Sequence, residues 1–335
     1  MAHSEDSEGS SRCSVTNNHR GSSSQHTDPN SKISIKDINM EKNRQSQTIL
    51  LSDGRTLGFA EYGPKDGKPV LYFTGGNSSR LEGMWFDESA HRNNVRLIVP
   101  DRPGFGLSSV HPNRQLLDWP DDVIELANNL SIDKFSVFGL SGGGPHVLAM
   151  IHQVPGRVNK AAIVSGTALP EMPNKFHGMW PPVKIIFVTA EKFPKINRFL
   201  LKQMANFYSD EVQMMKRMKQ AMPLPDVKII EERPEIIKIF AEATKEAHRN
   251  GVDGDAWEWQ LYVNDWHFQL REIQKEVKLW YGKYDQQVPI GMGRYLSQEL
   301  PNADLIEVDD GGHFSTINNH IDEIFEYLKQ PASKS

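Results

Sequence analysis

Residues 137–145 read Val137-Phe138-Gly139-Leu140-Ser141-Gly142-Gly143-Gly144-Pro145. An apolar strand pattern at Phe135–Phe138 runs straight into a glycine-rich turn. A helical pattern from Gly142 to His152 follows at once. A serine between glycines in a strand–turn–helix setting is the arrangement of a nucleophile elbow. Its small neighbours let the backbone fold tightly enough to lift the hydroxyl above the sheet. The start of the following helix favours negative charge developing beside it. A serine that only capped a helix would have no use for three glycines after it.

A serine hydroxyl is a weak nucleophile at neutral pH and needs a base. In this architecture the chain order is serine, then acid, then histidine. Asp285 follows the apolar strand Val277–Tyr281, and His313 follows the strand Leu305–Val308 in the run Asp309-Asp310-Gly311-Gly312-His313. His313 is therefore the expected general base, and Asp285 the group expected to fix its tautomer and stabilise the imidazolium. Asp265 is a distant alternative acid, while Asp309 and Asp310 stand too close to His313 in sequence. Ser141, Asp285 and His313 all fall at the C-terminal ends of predicted strands, where sites lie in open α/β sheets.

The pattern extends in both directions. Four further strands are expected at Thr48–Leu51, Thr56–Tyr62, Pro69–Phe73 and Val95–Val99, and another at Ala161–Val164. Helices are expected at Arg80–Arg92, Pro120–Asn129, Met292–Leu300 and Asn318–Leu328. Short apolar strands alternating with helices imply an α/β fold with a mostly parallel sheet covered on both faces. The rhythm breaks over residues 166–272, where apolar residues recur at helical spacing with no strand. This stretch is expected to be an inserted helical cap whose Met and Trp residues mostly pack, some of them lining an apolar pocket. The expected organisation is a disordered tail over 1–45, a first core segment over 46–165, the insertion, and a second core segment over 273–331.

Composition excludes several functions. The 335 residues carry a formal net charge of −5, with 38% hydrophobic and 24% charged residues. That balance gives no reason to expect nucleic acid or an anionic membrane surface as the main partner. No apolar run is long enough for a membrane span. Cys13 is the single cysteine, so no intrachain disulfide or cysteine-based metal site can form. The N-terminus has no apolar signal core and contains Glu5, Asp6 and Glu8, unlike a transit peptide. A cytoplasmic location is expected, the terminal Ser-Lys-Ser being only an imperfect peroxisomal address. Gly104-Phe105-Gly106 hints at a dinucleotide fingerprint but lacks the third glycine and a following helix. It reads as a structural turn, with Asp101 and Arg102 structural and His146 a packing residue.

On these residues the chain resembles the α/β-hydrolase fold family, in the group with a helical cap. The resemblance rests on Gly139-Leu140-Ser141-Gly142-Gly143-Gly144-Pro145 and on Pro100-Asp101-Arg102-Pro103-Gly104-Phe105-Gly106-Leu107-Ser108. Gly282-Lys283-Tyr284-Asp285 with Val288-Pro289, and Gly311-Gly312-His313, complete it. It implies a triad of Ser141, Asp285 and His313, with neither metal nor organic cofactor. It also implies an oxyanion hole from the Gly142 N–H and one N–H of the loop after the third strand. That loop reads Thr74-Gly75-Gly76-Asn77. Aligning Thr74-Gly75 on the family's usual His-Gly makes Gly76 the second donor and leaves Thr74 where relatives carry a histidine. The implied substrate is a small, partly apolar ester, lactone or similar acyl compound. Acyl transfer, carbon–carbon cleavage or a lyase step on the same triad, or ligand binding with little turnover, are the alternatives. A serine rather than an aspartate at the elbow argues against haloalkane dehalogenase or epoxide hydrolase chemistry.

Overall fold

A computed structural model describes residues 43–332, apart from 169 and 209. The tail expected over 1–45 therefore falls, except for 43–45, outside the described residues, as do Cys13 and the terminal Ser-Lys-Ser. Eight strands form one sheet: β1 (Gln47–Leu50), β2 (Thr56–Tyr62), β3 (Lys68–Phe73), β4 (Val95–Pro100), β5 (Phe135–Leu140), β6 (Val158–Val164), β7 (Val277–Gly282) and β8 (Ala303–Val308). Their order is β1-β2-β4-β3-β5-β6-β7-β8. β2 pairs antiparallel with β1 and β4, and every other pairing is parallel. All eight expected strands are present.

The central strands read as unbroken apolar runs because both faces of the sheet are covered. Successive side chains of β3 still divide by face, as a pleated strand requires. Leu71 and Phe73 join one cluster with Trp119 and Val147. Val70 and Tyr72 join the opposite one with Phe86, Phe138 and Phe325. Two expected helices differ in form. Arg80–Arg92 is a 3-10 segment, Arg80–Phe86, followed by an α-helix, Asp87–Arg92. Its tight first turns follow from Arg80, tied to Asp101 by its backbone N–H at 2.7 Å and its guanidinium at 2.8 Å. The last helix is His313–Leu328, five residues longer at its start than the sequence pattern indicates, for a reason that lies in the site.

Between β6 and β7 lie six α-helices: Pro181–Lys192, Pro194–Tyr208, Glu211–Ala221, Leu224–Glu232, Glu235–Ala247 and Asp253–Val263. With the C-terminal edge of the sheet they enclose a cavity of about 1010 Å³.

Candidate active site

Ser141 follows β5 directly and adopts φ 54°, the left-handed region. Non-glycine residues enter that region at a cost, so the turn is held by its surroundings. The closeness of those surroundings explains the glycines. A Cβ on Gly143 would lie 2.0 Å from the Phe73 carbonyl oxygen. After the 3-10 turn Ser141–Gly143, the helix Gly144–Gln153 runs away from the site.

His313 faces the same cavity as Ser141. Its Nδ1 lies 2.8 Å from Asp285 Oδ2. The other Asp285 oxygen accepts the N–H groups of Gln287 and Val288 at 2.8 and 2.9 Å. Asp285 is thus fixed by its own loop, and both residues are buried. With a carboxylate at Nδ1, the ring carries its proton there and leaves Nε2 as the basic nitrogen. Burial works against the His313 imidazolium, but Asp285, with Asp226 and Glu82 adding their charges, raises the pKa above 6.5. The alternative acids are elsewhere. Asp265 caps the His267 N–H of its own exposed turn, and Asp309 pairs with Lys283.

The helix carrying His313 is started by a residue 87 positions away. Asp226, on the inserted helix Leu224–Glu232, accepts the N–H of His313 at 2.8 Å, of Phe314 at 3.0 Å and of Ser315 at 2.8 Å. It also accepts the Ser315 hydroxyl at 2.7 Å. These are the orphan donors that every helix N-terminus must satisfy. No local residue supplies the carboxylate, so the pattern around Gly312 indicates a late start, and the distant side chain extends the helix back to His313. Asp226 itself has no exposed surface.

The loop after β3 lies beside Ser141: a Cβ on Gly75 would meet the Ser141 Cβ at 3.5 Å. Its two carbonyls are gripped from behind by Arg102, Nη1 to Thr74 O at 2.6 Å and Nη2 to Gly75 O at 2.7 Å. A trans peptide points its N–H opposite to its C=O. Pinning the Gly75 carbonyl inward therefore turns the Gly76 N–H outward. Arg102 Nε is 3.1 Å from Glu258 Oε1, and Glu258 also binds Arg114 and His146 Nε2. All four side chains are buried. Burial drives His146 down to about 4, so the ring is neutral and donates its Nε2 proton to Glu258. Three buried carboxylates, Glu258, Asp255 and Glu82, act on the Arg102 guanidinium and keep it charged behind the loop. The Gly142 flank is closed by Tyr262, whose hydroxyl would lie 2.2 Å from a Cβ there.

Arg102 is structural as expected, but its structural task is to hold this loop. Asp101 accepts from Arg80 and from the Leu107 N–H at 2.9 Å, within the turn around Gly104–Gly106. Sequence reasoning missed Asp226, Glu258 and Tyr262. A signal existed for Glu258, an acid between Trp257 and Trp259 in a helix that buries residues all round. Such an acid must be paired inside. Of the insertion's tryptophans, Trp180 and Trp259 line the cavity with Met204, Met214, Met218 and Met222. Trp266 is buried and donates to the Leu261 carbonyl.

Residues 68–319 match the family described as "alpha/beta hydrolase fold". The chain belongs to that family. It is 30% identical over 122 residues to an uncharacterised hydrolase of Bacillus subtilis, covering 36% of this chain and 42% of that protein. It is 23% identical over 257 residues to the 2-hydroxymuconate semialdehyde hydrolase of Pseudomonas putida, covering 76% and 83%. With a non-heme chloroperoxidase of Streptomyces lividans it is 28% identical, spanning 57% of that chain. The chain thus spans about half the length of the Bacillus and Streptomyces proteins. Among solved structures, an esterase of Exiguobacterium antarcticum superposes with TM-score 0.63 at 17% identity, over 85% of this chain and all of that one.

Proposed function

We propose that the protein is a serine hydrolase that cleaves an ester, lactone or related acyl compound through an acyl-enzyme. The observation that carries this is the 2.8 Å contact of His313 Nδ1 with Asp285, in one cavity with a serine held at φ 54°. Ser141 Oγ attacks the substrate carbonyl as His313 Nε2 takes its proton. The imidazolium, stabilised by Asp285, returns that proton to the leaving group. His313 then takes a proton from water, which attacks the acyl-enzyme and frees Ser141. The N–H groups of Gly142 and Gly76 receive the oxyanion, each donor worth about 2.7–4 kcal/mol in the transition state. Residues 166–272 act as a cap over the core segments 46–165 and 273–331, and their apolar lining suits a partly apolar substrate. Relatives named hydrolase and esterase support this reading.

A fluorophosphonate probe should label Ser141, and Ser141→Ala should abolish labelling and turnover of acyl esters together. Wild-type protein that stays unlabelled and inert against esters of graded chain length sinks the proposal.

A further inference from the structure

We propose that the helices Pro181–Lys192 and Pro194–Tyr208 form a docking face for an anionic lipid bilayer. Four large apolar side chains stand out from this pair: Ile185, Phe193, Ile196 and Phe199 are 52, 54, 51 and 61% exposed. Exposed apolar groups gathered in one place mark a surface that meets something. Cations surround them. Lys184, Lys192, Lys195, Arg198 and Lys202 are all exposed, and Arg198 is paired with Asp253. The single acid over residues 181–203 is Glu191, engaged by Lys175 at 3.1 Å. This segment is strongly basic in a chain whose net charge is −5.

The spacing makes the combination a face rather than a scatter. Lys195, Phe199 and Lys202 recur four and three residues apart, which places them on one side of the helix. Asn197, Leu201 and Ala205 lie on the other side, buried. The two helices are also tied together. Asn197 Nδ2 donates to the Ile186 carbonyl at 2.9 Å and to Thr189 Oγ1 at 3.2 Å. Apolar side chains that enter the acyl boundary, ringed by lysines at headgroup level, are the features of a helix that lies on a membrane. No helix among the described residues is long and apolar enough to cross one.

The occupant follows from charge. A second copy of this chain meeting the face symmetrically would set these lysines against their own equivalents, a like-charge contact. A bilayer containing phosphatidylserine supplies the opposite charge and an apolar interior together. The opposite sides of the same helices contribute Val183, Ile186, Phe187, Met204 and Phe207 to the cavity that holds Ser141. Docking would therefore set that cavity's wall against the lipid. The inference concerns docking alone and stands or falls independently of Ser141 as nucleophile.

The full chain should co-sediment with vesicles of phosphatidylcholine plus phosphatidylserine and stay in solution with phosphatidylcholine alone. Binding should weaken as salt is raised. Each cation contributes about fivefold to partitioning, so Lys195→Glu with Lys202→Glu should lower it by well over tenfold. Phe193→Ser with Phe199→Ser should abolish it, with the melting temperature unchanged because both side chains are exposed. Three results would overturn the proposal: no binding to either vesicle, equal binding to both, or a dimer in solution that Phe199→Ser dissolves.

Discussion

Two loops serve this site, and the inserted helices hold each by a buried carboxylate, at different removes. The histidine loop is held directly: Asp226 binds the backbone of His313, Phe314 and Ser315. The loop with Gly76 is held through a relay, Glu258 pairing with Arg102 and Arg102 gripping the Thr74 and Gly75 carbonyls. The difference follows from what each loop offers. The start of a helix presents free N–H groups, which a carboxylate can accept outright. The loop after β3 presents its Thr74 and Gly75 carbonyls to the insertion's side, so Glu258 reaches them only through the Arg102 cation, while Glu82 of the core faces the Gly75 N–H directly. The insertion thus encloses the cavity and also orients groups on the sheet edge.

The variants that probe this contrast run from large effects to small. Ser141→Ala touches neither anchor and removes the group both serve, so kcat should fall about 10⁶-fold, with an unchanged melting curve. The relay comes next. Glu258→Gln leaves Arg102 and Arg114 buried beside a neutral amide, and breaking such a pair costs about 3–5 kcal/mol, readable as a lower urea midpoint. Arg102→Lys keeps the charge but loses the two-pronged grip. It should lower kcat by about 10²–10³-fold, the loss expected for one misplaced oxyanion donor, with KM little altered. A rise in KM alone would mean that the loop binds substrate rather than the transition state.

The direct anchor should show itself in pH. His313 is held above 6.5, so kcat/KM in wild type should fall as the pH drops through a value above 6.5, where the base becomes protonated. The Asp226 charge is among the groups that raise it. Asp226→Asn removes that charge, lowers the His313 pKa, and should move the ascending limb of the profile toward lower pH. It should also cost the 0.5–2 kcal/mol typical of a lost helix cap. A limb that stays in place would reduce Asp226 to a structural brace. The smallest effect is expected at Thr74. Arg102 already holds the carbonyl there at 2.6 Å, and the buried hydroxyl adds only a long 3.4 Å contact to the same guanidinium, so Thr74→His should change turnover little, and a large gain would show that the loop limits catalysis.

Much of the fold was legible in the residues themselves. All eight strands announced themselves as short apolar runs, and the helical stretch between β6 and β7 as a loss of that rhythm. The candidate site was legible where its chemistry is local. Ser141 sits in a turn that only small neighbours permit, and Asp285 and His313 follow strands of the same sheet. The last helix begins earlier than its sequence pattern indicates because its cap is not local. Asp226 lies 87 residues from His313 and looks like any acid in the first turn of its own helix. Glu258 was passed over for the same reason, its partners Arg102, Arg114 and His146 being more than 100 residues away.

By itself the sequence determined the layered sheet, the tight turn at Ser141 and the chain order of the candidate serine, acid and histidine. Those features depend on side-chain period, backbone sterics and nearest neighbours, which act over a few residues. Only the tertiary structure decided how the two loops are held. A buried charge or an unfilled helix end can be satisfied by any correctly placed partner, and chain distance does not constrain which one arrives. It also decided what Thr74 does. Arg102 is paired with Glu258 and grips the loop in turn, its Nη1 donating to the Thr74 carbonyl at 2.6 Å and reaching the Thr74 hydroxyl at 3.4 Å.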